Sequence, residues 1–397
     1  MFKFVSFLFL SHVSAAHPRG HLQTLGSHQP SEGHIDVLDG SNELPRPRDF
    51  YYQYVLPQRP VVIRHAIMST PPLTTWTDKY LSEQYGDVEI GIETLKKEDR
   101  NQPGKVITLR EFLQKYQSEE IYMVDSLPKQ LQKEWMVPRF LLCGGYTENI
   151  HTLYTWLSSG GTSSVLHVDM FENLHCVVHG SKKFVIIDHQ YLESIRMDNK
   201  ESGYFEMDVD RVDLEKFPGL VGVPWYEATV YRGDCLYLPF MWLHQVRSYA
   251  GDENKNMAVN LWWHPFKFNE SDCIKRPNIP QFLSFDHFTP RPALSIKTIL
   301  KQTAQTDGYI YLSDFKDLVK ERMSNLPEEV VNQLFQYVDV GNEGRASAEY
   351  LDTLNYSVFE QMMQIVTESE QNSMNDENTD ETTDIDDEHP DTQKDEL

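Results

Sequence analysis

Ser164–Lys182 reads SVLHVDMFENLHCVVHGSK, and the architecture turns on how this stretch is laid out. His167 and Asp169 stand one residue apart, so on a strand both side chains point to the same face. Leu174–His179 is the next strand-like run, and Lys182 lies just past Gly180. A later strand-like run, Asp234–Val246 (DCLYLPFMWLHQV), carries His244. Two imidazoles and one carboxylate on a rigid β scaffold occupy one triangular face of a metal ion and leave the opposite side open. Among 15 histidines, that spacing alone is a weak signal. The plain alternative for each histidine is a satisfied place in the core.

The surroundings add weight. A lysine at the end of a buried strand needs an anionic partner, because burying an unpaired ammonium is costly. Ser164, Asn173 and Asn260 are polar residues inside apolar runs, suited to hydrogen-bonding a small dicarboxylate. This constellation resembles the JmjC-domain Fe(II)/2-oxoglutarate oxygenases, in particular their small hydroxylase branch. The resemblance spans roughly Pro45–Phe268. It implies that His167, Asp169 and His244 bind Fe(II), and that Lys182 pairs with the far carboxylate of 2-oxoglutarate, helped by Ser164. It also places Asn173, Asn260, an upstream tyrosine (most plausibly Tyr122 in IYMVDSLP) and Trp156 at the co-substrate pocket.

Many short strands broken at Gly160-Gly161, Gly180, Gly203, Pro218-Gly219 and Gly233 predict a mainly β core between Leu153 and about Trp263. A double-stranded β-helix, or cupin jelly roll, fits. N-terminal helices and a small all-α C-terminal domain complete the fold class. Within the first part, Arg48–Val55, Trp76–Tyr85 and Leu109–Tyr116 read as helices, and Pro60–Arg64 and Val88–Ile92 as strands. The long loop Gln190–Glu227 is expected near the mouth of the jelly roll.

The rest of the chain supplies an address. MFKFVSFLFLSHVSAA at residues 1–16 reads as a secretory signal peptide, too short in its apolar run to span a bilayer comfortably. The last four residues, Lys394-Asp395-Glu396-Leu397, spell the retrieval signal of the endoplasmic reticulum lumen. Residence there makes disulfides possible. Cys143 and Cys273 are the better candidates by position, whereas Cys176 and Cys235 lie in strand-like runs where a buried thiol is the usual reading. Asn269 and Asn355 begin glycosylation sequons. A net charge of −24 argues against nucleic acid as a partner. No later stretch is long and apolar enough for a membrane span. The expected partners are a lumenal protein or peptide substrate and the KDEL retrieval receptor.

Residues 17–44 read as a flexible leader, 45–276 as the oxygenase domain and 277–292 as a linker. Residues 293–366 carry two loops with an EF-hand outline, and 367–397 form an acidic disordered tail. In the first loop Asp307, Gly308, Ile310 and Asp314 fit positions five, six, eight and twelve. In the second, Asp339, Glu343, Gly344 and Ala346 fit one, five, six and eight. Thr303, Gln305, Gly341 and Tyr350 stand where oxygen ligands are preferred, so a structural pair with doubtful calcium binding is expected. The functional expectation is a lumenal protein hydroxylase using Fe(II) and 2-oxoglutarate. The alternative is a non-catalytic or calcium-associated scaffold built on the same folds. Histone demethylation, also known in the family, is disfavoured because the terminal signals keep the chain from chromatin.

Overall fold

A computed structural model describes residues 17–98, 104–195, 207–304, 307–322, 326–339 and 341–380. The expected signal peptide and the KDEL terminus lie outside these residues. Contacts divide the chain into two compact units, Met1–Pro290 and Arg291–Leu397.

The first unit holds β1 (Asp36–Asp39), β2 (Val61–Arg64), β3 (Glu89–Glu93), β4 (Lys105–Thr108), β5 (Tyr122–Ser126), β6 (Met136–Pro138) and β7 (Ile150–Ser158). It continues with β8 (His167–Val168), β9 (Glu172–His179), β10 (Ser181–Ile187), β11 (Tyr226–Tyr231), β12 (Cys235–Leu238), β13 (Leu243–Tyr249), β14 (Asn256–Trp263) and β15 (Phe282–Ser284). Nine of these form one sheet, in the order β1-β2-β12-β9-β14-β7-β5-β3-β4, and four form a second, β11-β10-β13-β8.

The alternation of β9 shows how the layers pack. Val177 lies in a core with Leu236 and Ala258 of the large sheet and Phe184, Ile186 and Val230 of the small one. Leu174, Cys176 and Val178 face the other way, into a core with Phe50, Trp76, Phe112 and Trp135 from the helical layer. β9 is buried on both faces along nearly its whole length, so its sequence, ENLHCVVH, does not alternate between buried and exposed residues. The expected helices form at Pro47–Phe50 continuing through Tyr51–Val55, at Asp78–Tyr85 and at Leu109–Lys115. Thr77 and Thr108 cap the last two by accepting from the amides of Tyr80 and Glu111.

Several expectations change. Asp234–Val246 is not one strand: β12 and β13 belong to different sheets, separated by a turn at Pro239–Trp242. Proline cannot donate to a ladder, and Met241 takes φ 63° there. The leader is not loose. Leu25 joins Val209, Val212, Leu214, Phe217 and Trp225 in a second core beneath the small sheet, so the segment is ordered by residues far downstream. The linker begins later than expected, because β15 pairs with β6 and Phe285 is buried. Cys176 and Cys235 are not free thiols. They sit directly opposite on adjacent strands and form a disulfide, as do Cys143 and Cys273.

The second unit contains helices Leu294–Thr303, Leu312–Arg322, Glu328–Gln336 and Ala348–Thr353. β16 (Tyr309–Tyr311) pairs antiparallel with β17 (Arg345–Ser347), with Ile310 opposite Ala346. The last helix, Tyr356–Asp380, runs past the expected start of the tail at residue 367. Met, Glu and Gln are good helix formers, so low hydrophobicity there does not by itself end the helix.

Candidate active site

The centre of the site is a two-residue ladder. β8 and β13 pair only at Val168–Leu243 and His167–His244, which sets the two imidazoles side by side with ring centroids 4.1 Å apart. Asp169 follows immediately after β8. His167 donates from Nδ1 to the carbonyl of Val165 at 3.0 Å, and His244 from Nδ1 to that of Trp242 at 3.0 Å. A carbonyl can only accept, so both rings carry their proton on Nδ1 and present Nε2 as a lone pair. Nε2 of His244 lies 3.6 Å from Asp169 Oδ2, and Nε2 of His167 lies 4.0 Å from Oδ1. The three donor atoms fall within 4.8 Å of one another. Burial first, then the repulsion a protonated His244 ring would meet from a protonated His167, push the His244 pKa down to about 4, keeping it in the neutral form a metal requires.

The carboxylate is held too. The Met241 amide donates to the Asp169 carbonyl at 3.0 Å, and Asn173 Nδ2 approaches Asp169 Oδ2 at 3.4 Å. The same turn that splits β12 from β13 therefore fixes Asp169 and delivers His244.

One face of the small sheet leads from this triad to Lys182. Ile186, Phe184 and Lys182 on β10 stand opposite His244, Val246 and Ser248 on β13. Lys182 is 4% exposed and donates to Ser248 Oγ at 2.8 Å, with its ammonium 6.0 Å from the Trp156 ring centroid. Among the described residues no carboxylate forms an ion pair with it. Burial alone lowers its pKa to about 7. Gly180, at φ 74°, makes the β9–β10 turn that starts this strand, and a Cβ there would sit 2.4 Å from the Tyr249 carbonyl.

A cavity between the sheets joins the triad to Lys182. Buried polar atoms on its wall, including Asn173 Oδ1, Asn260 Oδ1 and Trp156 Nε1, lack hydrogen-bond partners. Each such atom is costly unless a ligand or water satisfies it. With a neutral-imidazole and carboxylate triad at one end and a buried ammonium at the other, the wall fits a first-row divalent transition metal and a small dicarboxylate.

Residues 47–269, more than half of the chain, match the model of the cupin-like domain. The chain belongs to the cupin-like family. It is 23% identical over 248 residues to lysine-specific demethylase 8 of Xenopus tropicalis, covering 58% of this chain and 54% of that relative. Jumonji C domain-containing protein 5 of Drosophila melanogaster is 27% identical over 225 residues, covering 52% and 54%. The human bifunctional peptidase and (3S)-lysyl hydroxylase JMJD7 is 27% identical over 267 residues, covering 55% and 81%. The chain spans about half the length of the first two.

All nine residues singled out for metal and co-substrate line this cavity. Two have their hydroxyls engaged elsewhere. Ser164 Oγ donates to the Val165 carbonyl and accepts from the Val246 amide, so it fastens the loop before β8 to β13. Tyr122 donates to Glu93 at 3.1 Å. The hydroxyl beside Lys182 belongs instead to Ser248, which the sequence reading missed because only the β10–β13 register pairs them. Glu98, Tyr154, His175 and Trp262 also line the cavity unforeseen. Period-two alternation from Asn173 and Asn260 was the available signal for His175 and Trp262. Away from this cavity, donor atoms of His17, His21 and Glu215 also lie within 4.8 Å of one another. There His21 Nδ1 accepts from the Leu214 amide, which keeps that nitrogen off a cation.

Proposed function

We propose that the cupin-like domain is an Fe(II)- and 2-oxoglutarate-dependent oxygenase of the endoplasmic reticulum lumen that hydroxylates a protein side chain. One observation carries this reading: a metal triad and a buried lysine, with no carboxylate ion pair among the described residues, close the two ends of one cavity. When bound, iron supplies the oxidative chemistry. The chain supplies the rest. His167 and His244 hold their protons on Nδ1 and stay neutral at Nε2, while Asp169 brings the single negative charge. Lys182, with Ser248, offers a charge-assisted grip for the distal carboxylate of the co-substrate. Trp156 covers that ammonium, and the two sheets wall the space between.

The lumenal address rests on the two terminal signals, and the two disulfides of the first unit support it. The expected partners are therefore a lumenal protein or peptide and, through KDEL, the retrieval receptor. Asn269 and Asn355 are exposed, as glycosylation requires. We read the second unit as an EF-hand pair held by the β16–β17 ladder and structural rather than calcium-regulated.

The test is an anaerobic titration of the full chain with Fe(II) and 2-oxoglutarate, followed by visible absorption. The expected result is a chelate charge-transfer band that vanishes in His167→Ala and weakens in Lys182→Ala. Folded, iron-loaded protein without that band overturns the reading.

A further inference from the structure

His175 is an ionisable side chain of the cavity that belongs neither to the metal triad nor to the lysine end. His175 sits on β9, 4% exposed, and its Nε2 has no hydrogen-bond partner. On neighbouring strands it lies directly between Asn260 and Leu236. Asn173 and His175 are the residues of β9 that line the cavity. Asn173 is the one that reaches Asp169, which fixes the metal end of the row. The His175 ring meets Phe184 edge-on with centroids 5.3 Å apart. Phe184 in turn is one alternation from Ile186, opposite His244, and one from Lys182. His175 therefore stands midway between the metal ligands and the lysine, about 7 Å along the strands from each level. An elongated dicarboxylate laid from the triad to Lys182 has to pass this ring.

A hydrocarbon side chain would wall the slot at this height. A buried imidazole with an unused nitrogen carries a desolvation cost there unless a ligand engages it. We infer that His175 is a binding residue for the dicarboxylate co-substrate, its Nε2 hydrogen-bonding a carboxylate oxygen of the molecule that Lys182 anchors. This inference rests on the oxygenase reading above.

The charge balance around the ring adds a signature. The titratable groups that face it are Lys182 on β10 and His244 on β13, while Phe184, Asn260 and Leu236 are uncharged. Burial first, then the Lys182 ammonium, hold the His175 pKa well below its ordinary 6.5 against a hydrogen bond with Asn260, so the ring is neutral before the acid arrives. A dianion in the slot offsets the Lys182 charge and, by its own negative charge, favours the protonated ring. Binding then takes up a proton at His175, and affinity falls as pH rises.

The experiment is anaerobic calorimetry of the full-length, Fe(II)-loaded chain with 2-oxoglutarate, in two buffers of different ionisation heat. His175→Phe keeps the ring volume but loses the donor. It is expected to weaken binding at least about tenfold and to lower the proton uptake, leaving the contribution of Lys182. His175→Gln keeps a donor that cannot titrate. It is expected to regain part of the affinity without the proton, and it decides the matter if the phenylalanine variant does not fold. Unchanged affinity and proton count in a folded variant overturn the assignment and leave the oxygenase reading standing. Wild-type chain that binds Fe(II) but not 2-oxoglutarate overturns both.

Discussion

Two places in this molecule gather acidic and polar side chains across a very short β ladder, and they use it differently. At β8–β13 the ladder pairs two histidines whose Nδ1 atoms are tied back to carbonyls, so their remaining nitrogens converge with Asp169. At β16–β17 the ladder pairs Ile310 with Ala346, and the acids around it bond to their own loops. Asp307 accepts from the Tyr309 amide and the Tyr311 hydroxyl, and Asp339 from the amides of Glu343 and Gly344. Glu343 pairs with Arg345. The first ladder positions donor atoms for a ligand, whereas the second spends them on its own loops. A helix–loop–helix pair held by its ladder and its apolar core can thus keep its shape without the ion that its outline suggests.

That contrast can be broken most sharply at the triad. His244→Ala is expected to lower Fe(II) affinity by more than about a hundredfold, since disturbing even a group behind a ligand costs 10–100-fold. Equilibrium dialysis checks this, and retained affinity would reduce the triad to a packed core cluster. Joint replacement of Cys176 and Cys235 by alanine is expected to remove about 2–4 kcal/mol of stability, measured by denaturant titration. Because Cys176 faces the helical layer and not the cavity, Fe(II) affinity in that variant should stay within a few-fold of wild type. Lys182→Ala is expected to weaken 2-oxoglutarate binding about ten- to hundredfold, the worth of a charged hydrogen bond, with Fe(II) binding preserved. Loss of both together would mean that the lysine supports the fold and not the slot.

The smallest effect belongs to the second ladder. Calcium at about 1 mM, the top of the weak extracellular range, is expected to leave the thermal midpoint of the chain unchanged. Supplying the missing oxygens by Gly341→Asp with Tyr350→Glu should create a site of about 10⁻⁴–10⁻³ M, detected by the same calorimetric titration. A shift in the unaltered chain would make the two ladders alike after all.

The sequence made legible whatever depends on local spacing. His167 and Asp169 share a face because they are two apart, and Gly180 before Lys182 marks the turn that starts its strand. His244 was identified on the right segment, although that segment proved to be two strands. What escaped depends on register. Ser248 meets Lys182, and Cys235 meets Cys176, only because strands distant in sequence pair at one alignment and not the next. The leader escaped for a related reason. The few apolar residues of residues 17–44, among them Leu22, Leu25, Ile35 and Leu44, follow no helix or strand period, and the order of the segment comes from residues it meets much later.

That leader has a consequence for how the chain is made. Leu25 donates to the Val209 carbonyl, Glu32 to that of Trp225, and the buried His28 ring bonds the Val223 carbonyl across 195 residues of sequence. During synthesis this segment emerges early and must wait, unpaired, until those partners have been translated. Closing such distant contacts is slow, and chains held open in this way expose surface that aggregates. Assembly of the smaller sheet's outer core is therefore expected to be a late event, and attendant chaperones would have the most to shield in the interval before residue 225 appears.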